Sequence, residues 1–331
     1  MNSPYTFLFP GQGAQALGMA VDLADSRQEA RRIFDMGRDV LGRDVLAICR
    51  SGPEEELNST RISQPAIFLH SMAALEVLGT ETGSGGFCQG LDAPGAAGLS
   101  LGEYSALVFV GSLTFQDALQ IVSLRGQYMQ EACDTTKGTM ASVIAMATAK
   151  VEEIIESAKT EGFLVSVANY NSPDQTVISG EASAVEEAVK RLTAAGARKT
   201  IRLKVAGAYH SPLMAPATKK LEPYLRAVKI REPRVPFFSN VTGAQVRDPE
   251  AIRRNLILQV EHPVRWEQIL RALAASGMKR ALEVGPGKVL AGLLRSVVRE
   301  VEVTNAGTLG AVLKLKEELL KPMEVSDHAN G

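Results

Sequence analysis

Thr139-Met140-Ala141-Ser142-Val143-Ile144-Ala145-Met146 opens the stretch on which the fold reading turns. Met140 to Met146 reads as a strand, Lys150 to Lys159 as a helix and Leu164 to Ala168 as a strand. Thr176 to Ser179 is strand-like, Ala182 to Ala195 helical and Thr200 to Val205 strand-like. A β-α-β-β-α-β order is the split arrangement of ferredoxin-like folds. The unit is too small to account for the chain, and the sequence on both sides has α/β character. It therefore reads as an insertion into a larger α/β domain.

Upstream, Tyr5 to Phe9 is a strand broken by Pro10-Gly11-Gln12-Gly13, and helical segments follow as far as Leu78. One of them, after Ser63-Gln64-Pro65, carries Ile67, Leu69, Met72, Leu75 and Leu78, a composition suited to burial. Residues 79–98 are rich in Gly and Pro and read as a loop in which any strand must be very short. Downstream, Val235 to Ser239 and Arg280 to Val284 are strands, and helices are expected at about 249–260 and 264–276. Gly285-Pro286-Gly287 feeds another helix, Val289 to Val298. Recurrent strand, Gly-rich turn and helix is the logic of a doubly wound sheet. The expected division is a discontinuous large domain, 1–137 and 205–305, a ferredoxin-like subdomain, 138–204, and a C-terminal helix and tail, 306–331. The tail is expected to fray beyond Pro322.

Composition narrows the function. The chain has 331 residues, 45% hydrophobic, and 36 Lys plus Arg against 37 Asp plus Glu. That balance lacks the basic excess of a nucleic-acid binder. Cys49, Cys88 and Cys133 are odd in number and far apart, so a reduced, cytoplasmic chain is expected. His70, His210, His262 and His328 never fall four apart, which gives a metal site little support. Met1-Asn2-Ser3-Pro4 has no basic n-region, and the apolar run Tyr5 to Phe9 is too short for a signal peptide or a membrane span.

Three residues could carry chemistry. Gly98-Leu99-Ser100-Leu101-Gly102 has the G-x-S-x-G form of a nucleophile elbow, in which small flanking residues let a strained strand-to-helix turn expose a serine. A helix from about Glu103 would aim N–H groups at that serine, and the Leu101 amide could stabilise an oxyanion. The same residues also fit a plain turn capped by Ser100. An activated serine needs a base. His210, in Gly207-Ala208-Tyr209-His210-Ser211-Pro212, is the best candidate because it follows a strand, although a structural histidine fits there too. Arg125 falls on the apolar stripe Phe115, Ala118, Leu119, Val122 and Met129. A guanidinium there is costly unless paired, either with an internal carboxylate or with the carboxylate of a substrate. Neither Gly11-Gln12-Gly13 nor Gly285-Pro286-Gly287-Lys288 continues as a P-loop. Lys190, Arg191, Arg198, Lys199, Arg202 and Lys204 read as a solvated face, or as a face for an acidic partner.

Taken in order, the motifs form a larger pattern. Phe9-Pro10-Gly11-Gln12-Gly13, Gly98-x-Ser100-Leu101-Gly102-Glu103-Tyr104-Ser105 and Leu124-Arg125-Gly126 come first. Asn169-Tyr170-Asn171-Ser172-Pro173, His210-Ser211-Pro212-Leu213-Met214, Pro263-Val264-Arg265-Trp266 and Glu283-Val284-Gly285-Pro286-Gly287 follow. From about residue 5 to 300 the chain resembles the malonyl-CoA:acyl carrier protein transacylases of fatty-acid and polyketide synthesis. The resemblance implies an α/β-hydrolase-like large domain with an inserted ferredoxin-like subdomain. It implies Ser100 as the acylated nucleophile, His210 as its base, and the backbone amides of Gln12 and Leu101 as the oxyanion hole. Arg125 would hold the malonyl carboxylate, and a backbone carbonyl at Gln259 would orient the histidine. Tyr209 before His210 fits malonyl over methylmalonyl substrates. The implied partners are malonyl-CoA and an acyl carrier protein, with no metal or prosthetic group, in a monomer. Two positions depart from the pattern. Leu99 stands where the family usually has His, and a Gly/Pro-rich approach replaces a β-branched strand before the elbow. An acyl-thioester hydrolase using the same dyad and a non-catalytic carrier-docking module are the competing readings.

Overall fold

β1, Tyr5–Phe9, is buried along its whole length. In the computed structural model, which describes residues 5–320, it is the central strand of a five-stranded sheet. Its neighbours are β2 (Ala96–Gly98), β7 (Phe237–Phe238), β8 (Arg280–Glu283) and β9 (Glu302–Asn305), in the order β7-β2-β1-β8-β9, with every pair parallel. Parallel strands are covered on both faces and so read as unbroken apolar runs, as Tyr5 to Phe9 does. β2 is only three residues, Ala-Ala-Gly, and its register sets Phe9 beside Gly98.

The second sheet comprises β3 (Gly138–Ile144), β4 (Val165–Ser172), β5 (Gln175–Glu181) and β6 (Lys199–Arg202). It is antiparallel with the order β4-β5-β3-β6. Helices Thr148–Thr160 and Ala182–Ala194 complete the β-α-β-β-α-β sequence expected of this stretch. Ala141, Val143 and Ile178 on one face pack with Val151, Ile155, Val185, Ala188 and Leu192 of those helices. Met140, Ala168 and Val177 on the other face join the core of the large unit. A bridge ties β4 to the segment that precedes helix Trp266–Ala275: the Tyr170 N–H donates to Val264 O (2.9 Å) and the Val264 N–H to Ala168 O (2.8 Å).

Several boundaries differ from expectation. The apolar helix spans Thr60–Thr82, so Pro65 lies inside it, and the helix continues into the segment read as loop. Nearly all of this helix is buried, including Gln64, His70 and Ser71. A helix apolar all round belongs in a core, and that packing overrides the punctuation by Pro65. The strand expected over 235–239 is two residues long, and β6 stops at Arg202 instead of Val205. Helix Leu309–Leu320 returns to the large unit through Val312, Leu315 and Leu319, and Tyr5 donates its hydroxyl hydrogen to Glu318. The fraying expected beyond Pro322 and the histidine at His328 lie outside the described residues. Among the described residues no helix is long and apolar enough to cross a membrane.

Candidate active site

The parallel strands all point their C-terminal ends the same way, the edge at which open α/β sheets bind ligands. Beyond β1 comes Pro10-Gly11-Gln12, beyond β2 Leu99-Ser100, and beyond β7 Ser239-Asn240. Ser100 turns sharply, with φ 52°, between β2 and helix Gly102–Phe109. The neighbouring glycines are steric necessities. A Cβ on Gly98 would lie 1.9 Å from Gly102 O, one on Gly102 2.1 Å from Phe9 O, and one on Gly11 2.4 Å from Leu99 O. Such contacts are with backbone, which cannot yield without moving the sheet.

His210 meets the serine: its Nε2 is 2.8 Å from Ser100 Oγ. Its Nδ1 faces two carbonyls, Gln259 O at 2.8 Å and His262 O at 3.1 Å. Carbonyls only accept, so Nδ1 carries the hydrogen and Nε2 offers its lone pair to the serine. Burial, helped by the nearby Arg125 charge, pushes the His210 pKa down to about 4, against the carbonyls that favour the cation. The imidazole is therefore neutral and ready to accept a proton near pH 7.

Arg125, on helix Phe115–Thr135, is only 1% exposed. Its Nη1 donates to Gln64 Oε1 (2.6 Å), and its Nη2 to Ser100 Oγ (2.9 Å) and Gln259 Oε1 (3.0 Å). The buried Nε has no partner. All three acceptors are neutral, and among the described residues no carboxylate forms an ion pair with Arg125. The internal ion pair that could have explained this residue is thus not formed. Gly126 allows the approach, since a Cβ there would lie 2.7 Å from Thr60 O.

The backbone N–H groups of Gln12 and Leu101 donate to no other described residue. The Ser100 N–H, in contrast, is taken by Asn240 Oδ1. Gln259 enters twice: its carbonyl faces His210, and its side-chain Nε2 donates to Ser100 O (2.9 Å) and Glu103 Oε2 (2.6 Å). Tyr209 is buried with its hydroxyl against Thr60 Oγ1.

Sequence reasoning missed Glu103, Asn240 and Gln64. Glu103 is buried beneath the serine, and burial raises its pKa to about 7 against hydrogen bonds from Gln259 and the Asn240 N–H. The available signal was positional: Asn240 directly follows a strand end, and Glu103 opens the helix after the elbow. Other candidates fall away from the site. His70 is buried with Nε2 on Gly307 O (2.8 Å), and the three cysteines are buried with thiols pushed up to about 12. Glu283 accepts from the Leu290 and Ala291 N–H groups (3.0 Å each), so its motif caps helix Val289–Val297. On the basic face, Lys190, Arg191 and Arg202 pair with Glu187, Glu161 and Glu186.

Comparison with known proteins agrees in extent and in kind. The family described as "Acyl transferase domain" matches residues 6–324. The chain belongs to this family. A malonyl CoA-acyl carrier protein transacylase of Bacillus subtilis is 39% identical, over 96% of this chain and 98% of that one. The enzyme of the same description from Escherichia coli K12 is 40% identical, over 89% and 93%. The crystal structure of malonyl-CoA:acyl carrier protein transacylase from Xanthomonas oryzae superposes with a TM-score of 0.89 at 35% identity, covering 96% of this acyl transferase and 99% of that chain. A malonyl-transacylase solved in complex with a type II PKS acyl-carrier protein also gives 0.89, at 37% identity, covering 96% and 100%.

Proposed function

We propose that this acyl transferase moves a malonyl group from malonyl-CoA to the phosphopantetheine thiol of an acyl carrier protein. The observation that carries the reading is a buried guanidinium beside the serine–histidine pair, with neutral acceptors only and an unpartnered Nε. A substrate bearing a free carboxylate supplies the missing anion, and a bidentate carboxylate suits the planar fork of arginine.

The chemistry is double displacement through a covalent ester. Ser100 Oγ attacks the thioester carbonyl while His210 Nε2 takes its proton. The oxyanion is received by the N–H groups of Gln12 and Leu101. Collapse breaks the C–S bond, and His210 returns the proton to the departing CoA sulfur. The carrier thiol then gives its proton to His210 and attacks the malonyl-serine ester, and Ser100 leaves with that proton. Carbonyl acceptors hold the histidine throughout, so a dyad suffices and no aspartate is required. Tyr209, fixed against Thr60, supports malonyl over methylmalonyl as the acyl group.

The same reading extends to organisation. We propose an α/β-hydrolase-like domain, 1–137 and 205–305, carrying a ferredoxin-like subdomain, 138–204, with the helix after 306 packed on the large unit. The protein is proposed to act as a cytoplasmic monomer without metal or prosthetic group. Intact-mass measurement after mixing with malonyl-CoA or acetyl-CoA tests the function. A malonyl adduct on the native chain and none on Ser100→Ala is expected, with little acetyl adduct. Absence of any adduct with no CoA release would overturn the proposal. Rapid loss of the adduct to water without carrier protein would favour a hydrolase.

A further inference from the structure

The support beneath the nucleophile is unusually short. β2 contributes three residues, and its last ladder contact, the Leu99 N–H to Phe9 O (3.0 Å), ends one residue before the serine. Ser100 then takes φ 52°, a left-handed conformation that is strained in a residue with a Cβ. Such a turn persists only where its surroundings over-determine it. The sheet does not, because its hydrogen bonds have already ended.

The structure assigns that task to Asn240, and we propose that it is a positioning residue for Ser100. Its Oδ1 accepts the Ser100 N–H (2.6 Å) and its Nδ2 donates to Gly98 O (2.7 Å), so one carboxamide spans both sides of the turn. The orientation of the amide is fixed, because an N–H only donates and a carbonyl only accepts. Asn240 is itself immobilised. It is fully buried, its N–H donates to Glu103 Oε1 (3.2 Å), and its carbonyl accepts the Arg265 N–H (3.0 Å). Among the polar side chains, an amide of this length offers the paired acceptor and donor that the turn presents; an ionised aspartate lacks the donor and a serine the reach. Without the clamp, the Ser100 N–H and Gly98 O are left unpaired and the turn relaxes. Oγ then drifts from His210 Nε2 and Arg125 Nη2, which lie at 2.8 and 2.9 Å. Misplacement of a reacting atom by 1 Å can cost about 100-fold in rate.

This inference rests on Ser100 being the acylated residue, so the native chain is the control. Single-turnover acylation by malonyl-CoA is measured for the native protein, Asn240→Leu and Asn240→Asp, with malonyl-CoA affinity measured in a Ser100→Ala background. Asn240→Leu keeps the branched four-atom skeleton of the side chain and removes both hydrogen bonds. Its acylation rate constant is expected to fall by about 100-fold with affinity unchanged. Asn240→Asp keeps the acceptor facing Ser100 and is expected to lie between native and Leu. If Asn240→Leu does not fold, a loss of about tenfold or more in Asn240→Asp with affinity retained carries the proposal. Acylation of the folded variants within about threefold of native, or a loss that resides wholly in affinity, would overturn it. Failure of the native chain to acylate would instead overturn the function proposed above.

Discussion

Arg125→Ala separates recognition of the acyl group from the chemistry performed on it. In the native site the guanidinium is 1% exposed and has Gln64, Gln259 and Ser100 as its acceptors. A malonyl carboxylate arriving there gains a buried, charge-assisted pairing. Removing one partner of such a pair costs about 3–5 kcal/mol, and each 1.4 kcal/mol is tenfold. The specificity constant for malonyl-CoA is therefore expected to fall by about two to three and a half orders of magnitude. Acetyl-CoA has no carboxylate and loses none of this term. Arg125→Ala also frees Gln259 Oε1 and removes a donor from Ser100 Oγ, and that damage is common to both substrates. The informative quantity is thus the ratio of malonyl to acetyl acylation, read by CoA release from each thioester under identical conditions. The ratio is expected to fall by at least about 100-fold. Equal losses for both thioesters would refute a carboxylate clamp and leave Arg125 as a scaffold for the dyad.

Because the His210 pKa is pushed down to about 4, the acid limb of Ser100 acylation should lie well below pH 6.5; a midpoint near 6.5 in the specificity constant would contradict a buried neutral base. Gly102→Ala places a Cβ 2.1 Å from Phe9 O and is expected to abolish detectable acylation, or folding itself; native-like acylation would show that the turn is softer than its contacts indicate. His70 is buried and neutral with its pKa near 4, so the unfolded chain takes up a proton below about pH 6.5 that the fold refuses. Its contribution is intact above pH 6.5 and erodes as pH falls to about 4, by up to about 3 kcal/mol. His70→Gln should flatten that slope in pH-dependent melting curves; an unchanged slope would place the acid sensitivity elsewhere. Glu103, raised to about 7, acts in the opposite sense by gaining a proton in the fold as pH drops, so the variant must be compared with native protein over the same range.

What the sequence disclosed depended on whether a residue's type conflicted with its local pattern. Arg125 was legible because a charge on an apolar stripe demands an explanation, and Ser100 because two glycines bracket it in a motif with a steric basis. The βαββαβ unit was legible because each element is long enough to show its own periodicity. β7 was overestimated at five residues because Val235 to Ser239 looks strand-like, whereas only Phe237 and Phe238 pair with β2. Helix Thr60–Thr82 was truncated at Pro65 because punctuation outweighs burial when burial is unknown. Glu103, Asn240 and Gln64 stayed hidden for a different reason. Asn240 and Gln64 come from distant elements, each unexceptional where it stands, and only the fold brings them to the serine and its arginine; Glu103 lies within the motif, but its burial and its bonds to Asn240 and Gln259 exist only in the fold.

β2 is only three residues long and its ladder ends one residue before Ser100, so side chains hold the turn in its place. In a longer strand, ladder hydrogen bonds would hold the turn from below. Here Gly98 and Gly102 let the backbones of β1, β2 and the following helix come close enough for side chains to take over. Asn240 grips the turn itself, Gln259 Nε2 holds Ser100 O, and Glu103 accepts both the Asn240 backbone N–H and Gln259 Nε2. Gln259 adds the link to chemistry. Its backbone carbonyl sets the His210 tautomer while its side-chain oxygen meets Arg125, so the base and the cation are referenced to one residue. A carboxylate bound at Arg125 is thereby placed at a defined distance from the nucleophile. On the function proposed above, selectivity and attack geometry are consequences of the same buried amide network.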